Sequence, residues 1–92
     1  MEIDRSKISS QSAVQLDIIA GLKAEFQSTG LDTTFGLFMA QHALNVLEND
    51  RKVARFMDLG SIVEETSRAI KLVKQFENEL INQNSKHLGA MD

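Results

Sequence analysis

The stretch Thr33–Leu47 constrains the fold of this chain more than any other part of it. It reads TTFGLFMAQHALNVL and is the most apolar run in the sequence. Asp32, immediately before it, and its two threonines supply oxygen atoms that can accept hydrogen bonds from the free N–H groups of a first helical turn. At about 100° per residue, the polar positions fall in one narrow stripe, which consists of Gln41, Asn45, Glu48 and Lys52. We therefore expect a helix whose broad apolar arc is covered on several sides, at the centre of a bundle.

Helix-breaking residues are scarce in the rest of the chain. The sequence has no proline and five glycines among its 92 residues, and these two residue types oppose helix formation most strongly. It also has no cysteine, which excludes disulfides and thiolate metal sites and leaves packing alone to hold the fold together. The sequence predicts an all-α protein, with a single domain over residues 1–92 built as a small antiparallel bundle of three helices.

A first helix is predicted over residues 11–28. Its candidate N-caps are Ser9, Ser10 and Ser12. Ser12 and Gln15 have the spacing of a capping box, in which each side chain accepts a hydrogen bond from the backbone N–H of the other residue. Apolar side chains then recur every four residues and define the expected buried face, which comprises Val14, Ile18, Leu22 and Phe26 and is reinforced by Ile19 and Ala13. Gly30 follows and suits the left-handed conformation that commonly closes a helix.

The last helix is predicted over residues 61–83. Ser61 and Glu64 form a second capping-box pattern, and Gly60 is expected to end the preceding helix in a left-handed conformation. Seam positions follow with alternating spacings of four and three residues, the period of packed antiparallel helices; they are Ile62, Thr66, Ala69, Val73, Phe76 and Leu80. Residues 84–92 show no period and are expected to form a disordered tail.

The central helix is predicted over residues 33–58, and its continuity is the main open question. A break at Asn49-Asp50 would let the aspartate cap a short fourth helix. Glu48 and Lys52 stand four residues apart, in the favourable order for an ion pair along one helix, and the apolar face resumes beyond them. We favour the continuous helix and keep the four-helix bundle as the alternative.

The predicted helices differ in length. At about 1.5 Å per residue the first helix spans about 25 Å and the central helix about 39 Å, and short loops make neighbouring helices antiparallel. The first helix is then long enough to cover only residues 33–49 of the central helix, which is the half nearer its N-terminus. Five apolar side chains near the Gly60 turn stay uncovered: Val53, Phe56, Met57, Ile62 and Val63. Burying such a side chain is worth roughly 1.5–3 kcal/mol. We therefore expect either a lid formed by a broken central helix or, preferably, a second copy or another protein over them.

The sequence predicts no catalytic, metal or cofactor site. His42 has Asn45 and Val46 at the helical spacings where a second metal ligand would have to stand. The glutamates of the last helix are expected to form its solvated face, and the serines and threonines cluster at helix starts, where capping explains them. The beginning of the chain, MEIDRSKI, has no apolar signal region, so we expect a cytoplasmic protein without a membrane segment.

These features predict a non-enzymatic helical protein–protein interaction module, such as a small regulator, adaptor or assembly chaperone. It would act most simply as a homodimer through the five uncovered side chains. The alternative is a small DNA-binding regulator that uses Arg51, Lys52 and Arg55, which lie on one helical segment. The formal net charge of −3 and the neighbouring acidic residues Glu48 and Asp58 weigh against this alternative.

Overall fold

The computed structural model describes the backbone of residues 3–28, 30 and 32–91, and the side chains of this part as far as Gln83. A short 3-10 helical turn, Arg5–Lys7, precedes three α-helices: α1 is Ser10–Ser28, α2 is Thr33–Phe56 and α3 is Gly60–Met91. No strand occurs in the described part of the chain. The prediction of an all-α, three-helix bundle is confirmed.

α2 runs without interruption through Asn49-Asp50, so the four-helix alternative is wrong. Its N-terminus is closed as the sequence predicts, because the Asp32 carboxylate accepts hydrogen bonds from the N–H groups of Thr34 (2.9 Å) and Phe35 (3.5 Å). The carboxylate proposed to cap a fourth helix, that of Asp50, accepts hydrogen bonds from two serine hydroxyls near the start of α1 instead. Its acceptor capacity is therefore used in holding α1 to α2.

α2 ends at Phe56, two residues before the predicted end, because the chain turns there through a left-handed residue. Asp58 has a φ of 57°, and the N–H of Leu59 donates to the carbonyl oxygen of Ala54 (2.9 Å). This arrangement is the Schellman closure of a helix, and aspartate tolerates the left-handed conformation better than most residues. The expectation that Gly60 takes this role is wrong, since Gly60 is the first residue of α3.

α3 is longer than the predicted last helix at both ends. It begins at Gly60 and continues to Met91, where the sequence pattern predicts a disordered tail from residue 84 onwards. The segment contains no proline, and extending an existing helix gains one hydrogen bond for each residue fixed. The loss of the apolar period therefore does not end the helix. Asp92, the last residue of the predicted tail, lies outside the described residues.

The core lies along the seam between α2 and α3, which contact each other more extensively than either contacts α1. The seam predicted on α3 is buried, except for Ile62, which is half-buried. The buried residues of α2 are mostly small; they are Gly36, Ala40, Ala43, Leu44, Leu47 and Ala54. Small side chains allow two helices to approach closely, which leaves little room for aromatic rings on this face of α2.

α1 packs on the side of the hairpin formed by α2 and α3 with only part of the predicted face, because Leu22 and Phe26 pack against the core as predicted whereas Val14 does not. Ile19 is buried, and three side chains pack against the core around it, namely Leu16, Leu22 and Phe26. Val14, by contrast, is 54% exposed. The reason lies in Ser12, which is fully buried and donates a hydrogen bond to Asp50. A residue two positions later points about 200° away around the helix, so Val14 faces outward.

The two ends of α1 also differ in how well the sequence predicts them. Ser9 caps the first turn, because its hydroxyl oxygen accepts a hydrogen bond from the N–H of Ser12 (3.1 Å). The capping box predicted from Ser12 and Gln15 is therefore wrong, and α1 begins at Ser10. At the other end the prediction is confirmed: Gly30 has a φ of 84°, and its N–H donates to the carbonyl oxygen of Glu25 (3.1 Å).

Candidate protein-interaction surface

The turn between α2 and α3 carries a group of exposed apolar side chains, which we call the tip surface. It consists of Val53, Phe56, Met57 and Leu59, with exposed fractions of 49%, 92%, 61% and 40%. Ala54, between the first two, is buried. The hydrogen bonds of the Schellman closure link the backbone of this turn to the end of α2. The tip surface is therefore presented by a defined turn.

Ile62 and Val63, which the sequence groups with the tip surface, are half-buried. The segment before α1 reaches this end of the bundle, and Ile8 and Ser9 line a cleft of about 220 Å³ together with Ile62 and the base of the tip surface. The start of the chain thus shelters part of the end that α1 is too short to cover. The expectation that Ile62 and Val63 stay uncovered is wrong to that extent.

Polar contacts hold the segment before α1 in place. The N–H of Asp4 donates to Oε2 of Glu65 (2.7 Å), a buried glutamate on α3 whose other oxygen accepts a hydrogen bond from Arg68 (2.9 Å). Arg5 pairs with Asp17 on α1 (2.6 Å), although both side chains are largely exposed, so this ion pair adds little stability. The buried glutamate is therefore the main polar anchor of this segment.

A second apolar pair lies on α2, at Phe35 and Phe38, with exposed fractions of 49% and 70%. The apolar pattern of the sequence does not distinguish this pair from core residues. Among the five phenylalanines, Phe76 alone is fully buried and Phe26 is half-buried. The sequence contains one indication that Phe38 is exposed. Phe38 stands seven residues, or two helical turns, before Asn45, so it lies on the same face of the helix as the polar stripe.

The titratable side chains of the described part of the chain bear on the sequence prediction of no metal site. His42 is exposed, and no group of three or more histidine, cysteine, aspartate or glutamate side chains there could hold a metal ion. The pKa of the Asp4 carboxyl is lowered because it accepts hydrogen bonds from the hydroxyl and the N–H of Ser6. This effect belongs to the capping of the 3-10 turn, for which the lowered pKa is typical.

The three cations of the DNA-binding alternative differ in exposure and in their contacts. Arg51 is half-buried, and its guanidinium donates to the hydroxyl of Ser67 on α3 (3.3 Å). Lys52 and Arg55 are exposed on α2. The arginine is thus engaged in holding the hairpin together, which leaves two exposed cations beside the acidic Glu48.

A groove of about 730 Å³ lies between α1 and α3. Its lining is mainly apolar and includes Leu16, Ile19, Leu72, Val73 and Phe76. The segment before α1 closes one side of it with Ile3, Asp4 and the ion-paired Arg5. The groove reflects the loose packing of α1 on α3, which share few contacts.

Comparisons with known proteins add no relative to this description. No protein-family model matches the chain. No curated protein matches it, and no solved structure does. None of the described helices combines the length and the apolar character that crossing a membrane requires.

Proposed function

We propose that this chain is a non-enzymatic helical protein–protein interaction module that forms a homodimer through the tip surface. The observation that carries the proposal is Phe56, a large ring that is 92% exposed beside three other exposed apolar side chains. Monomeric proteins rarely leave contiguous apolar patches of this kind in water, and such patches mark association sites. Symmetric dimers are the commonest form of self-association.

The biological role that suits such a module is that of a small regulator, adaptor or assembly chaperone. In these roles a helical domain acts by covering and uncovering an apolar face rather than by chemistry. We place the module in the cytoplasm, because a chain without cysteine needs no oxidising compartment for its folding. The DNA-binding alternative has less support, because Arg51 is engaged with Ser67 and the net charge is negative.

Sedimentation equilibrium of the wild type and of Phe56→Asp tests this proposal. A carboxylate at this position leaves the bundle core untouched but opposes burial against a second copy. We expect a wild-type dimer, a monomeric Phe56→Asp variant, and the same helicity by circular dichroism for both. The matched control is Ile81→Asp, a change at another exposed apolar side chain, 45% exposed on α3 and distant from the tip surface along the helix; it should stay dimeric.

Two results would overturn the proposal. A wild-type protein that stays monomeric at high concentration does not form a homodimer through any surface. A Phe56→Asp variant that dimerises as tightly as the wild type does not use the tip surface. Duplex DNA titrated at low and high salt checks the alternative, because contacts to phosphates weaken steeply as salt rises.

A further inference from the structure

The outward face of α2 carries two apolar pairs with the same internal spacing. Phe35 and Phe38 form the first pair, and Val53 and Phe56 form the second. In each pair the residues stand three apart, as neighbours on a helix surface. The second pair follows the first after 18 residues, which is about five turns of an α-helix or about 27 Å. Both pairs therefore point in the same direction from α2.

The surface between the two pairs is polar but carries no carboxylate, lysine or arginine along its centre line. His42, Asn45 and Asn49 occupy it, and all three are exposed. Amide and imidazole groups can each donate and accept hydrogen bonds, so they can be covered by a similar surface without leaving an unpaired charge. We call this strip, from Phe35 to Phe56, the outer face of α2.

We propose that a second copy of this chain packs antiparallel along the outer face of α2. Phe35 would contact Phe56 of the second copy, and Phe38 would contact its Val53. The inference rests on the homodimer proposed above and names what covers Val53 and Phe56. One register of the two helices satisfies both contacts. Phe35 and Phe56 lie equally far along α2 from the peptide bond between Asn45 and Val46, and so do Phe38 and Val53. A two-fold axis beside that bond then makes each contact twice.

The exposed fractions favour the antiparallel arrangement over the parallel one. Phe56 protrudes furthest, at 92%, and would meet the half-exposed Phe35 (49%); Phe38, at 70%, would meet the half-exposed Val53 (49%). A protruding side chain thus faces a recessed one in both contacts, as close packing requires. A parallel pair would set Phe56 against its own copy while the recessed side chains would not reach each other. It would also bring like ends of the helix dipoles together.

The surface available is sufficient for a dimer at the lower limit of stable interfaces. With about 200 Å² for a phenylalanine side chain, the exposed parts of the four apolar residues amount to roughly 500 Å² per copy. Two copies would bury roughly 1,000 Å² of apolar surface, near the lower bound for a specific interface. In the proposed register His42 also comes opposite Asn49 of the second copy, within the reach of a polar contact.

Cysteine cross-linking tests the register, because the wild-type chain has no cysteine. Phe38→Cys and Val53→Cys are prepared separately, and each is oxidised alone and in an equimolar mixture. In the antiparallel register the mixture forms a disulfide-linked dimer of one copy of each variant. Each variant alone does not, because its two cysteines lie about 22 Å apart along the helices, far beyond the roughly 4.4–6.8 Å between Cα atoms that a disulfide allows.

Phe56→Cys alone serves as the discriminating control, since it cross-links to itself only if the two tips meet directly or the helices pair in parallel. If it does so, or if the mixture fails to cross-link although the wild type sediments as a dimer, the antiparallel register is overturned while the homodimer stands. A second measurement is independent of disulfide geometry. Phe38→Asp should weaken dimerisation at least 100-fold in the antiparallel register, and an unchanged dissociation constant would overturn it. A monomeric wild type would instead refute the proposed function itself.

Discussion

Replacing Phe76 with alanine tests the placement of the bundle core most directly. Its ring is 1% exposed and meets the ring of Phe26 edge to face, with ring centroids 6.3 Å apart and planes at 83°. Truncating such a buried ring removes its transfer free energy and leaves a cavity, a loss of about 3–5 kcal/mol. The free energy of unfolding of a small protein is roughly 0.05–0.15 kcal/mol per residue. At the lower end of this range, the stability of the 92-residue chain is little larger than the loss expected from this substitution. Phe76→Ala should therefore be close to unfolded in mild urea.

Urea unfolding followed by circular dichroism measures this loss. With an m-value of about 1.5 kcal/mol per M, the midpoint should fall by about 2–3 M. The matched control is Phe38→Ala, the same substitution at a ring that is 70% exposed, which should cost about 0.5 kcal/mol or less. Both changes belong in the Phe56→Asp background, so that association does not contribute to the measured stability.

The double variant with Phe26→Ala isolates the contact between α1 and α3. An edge-to-face pair contributes about 0.5–1.5 kcal/mol beyond its buried area, so the two single losses should exceed the loss of the double variant by about that amount. A loss below about 1 kcal/mol for Phe76→Ala, or one equal to that of Phe38→Ala, would refute the assignment of Phe76 to the core.

Further predictions concern polar contacts. Ser12→Ala removes a buried hydroxyl that donates to Asp50 and should cost about 1–3 kcal/mol in urea unfolding; no loss would mean that this contact does not hold α1. Asp32→Ala removes the N-cap of α2 and should cost about 0.5–2 kcal/mol, whereas Asp32→Asn should retain most of the stability. The pKa of Asp4 lies below its usual 3.8 because of its hydrogen bonds from Ser6. Its contribution to stability is therefore present above the usual pKa and is lost as the pH falls through the folded pKa. An NMR titration should show this pKa rising in Ser6→Ala.

Local patterns predict the helices and the seam of α3 well, because both depend on residues close together in sequence. The orientation of α1 could not be predicted in this way. Its apolar residues are compatible with more than one buried face, and the hydrogen bond between Ser12 and Asp50 selects one of them. These partners stand 38 residues apart, so no local period contains the information.

The candidate surface was predictable in part. Val53, Phe56 and Met57 are exposed, in agreement with an argument that used only helix lengths; their binding role stays a prediction. Ile62 is sheltered by the segment before α1, which has no apolar period to reveal its path. The apolar pattern does not separate Phe38 from core residues, because it counts apolar residues without their volumes. The small residues on the seam of α2 exclude such a ring, and that constraint appears only when two helices are packed together.

The three-residue connection between α2 and α3 governs how the bundle comes apart. Contacts across this connection are close in sequence, so they form with little loop-closure entropy, and they make up most of the contacts between helices. Fewer contacts attach α1 to the hairpin of α2 and α3. Amide hydrogens along the hairpin should therefore exchange with solvent only through global unfolding, and those of α1 through a local opening of lower free energy. The molecule should thus behave as a helical hairpin with a detachable third helix, whose release would expose the apolar side chains of α3 that line the groove between α1 and α3.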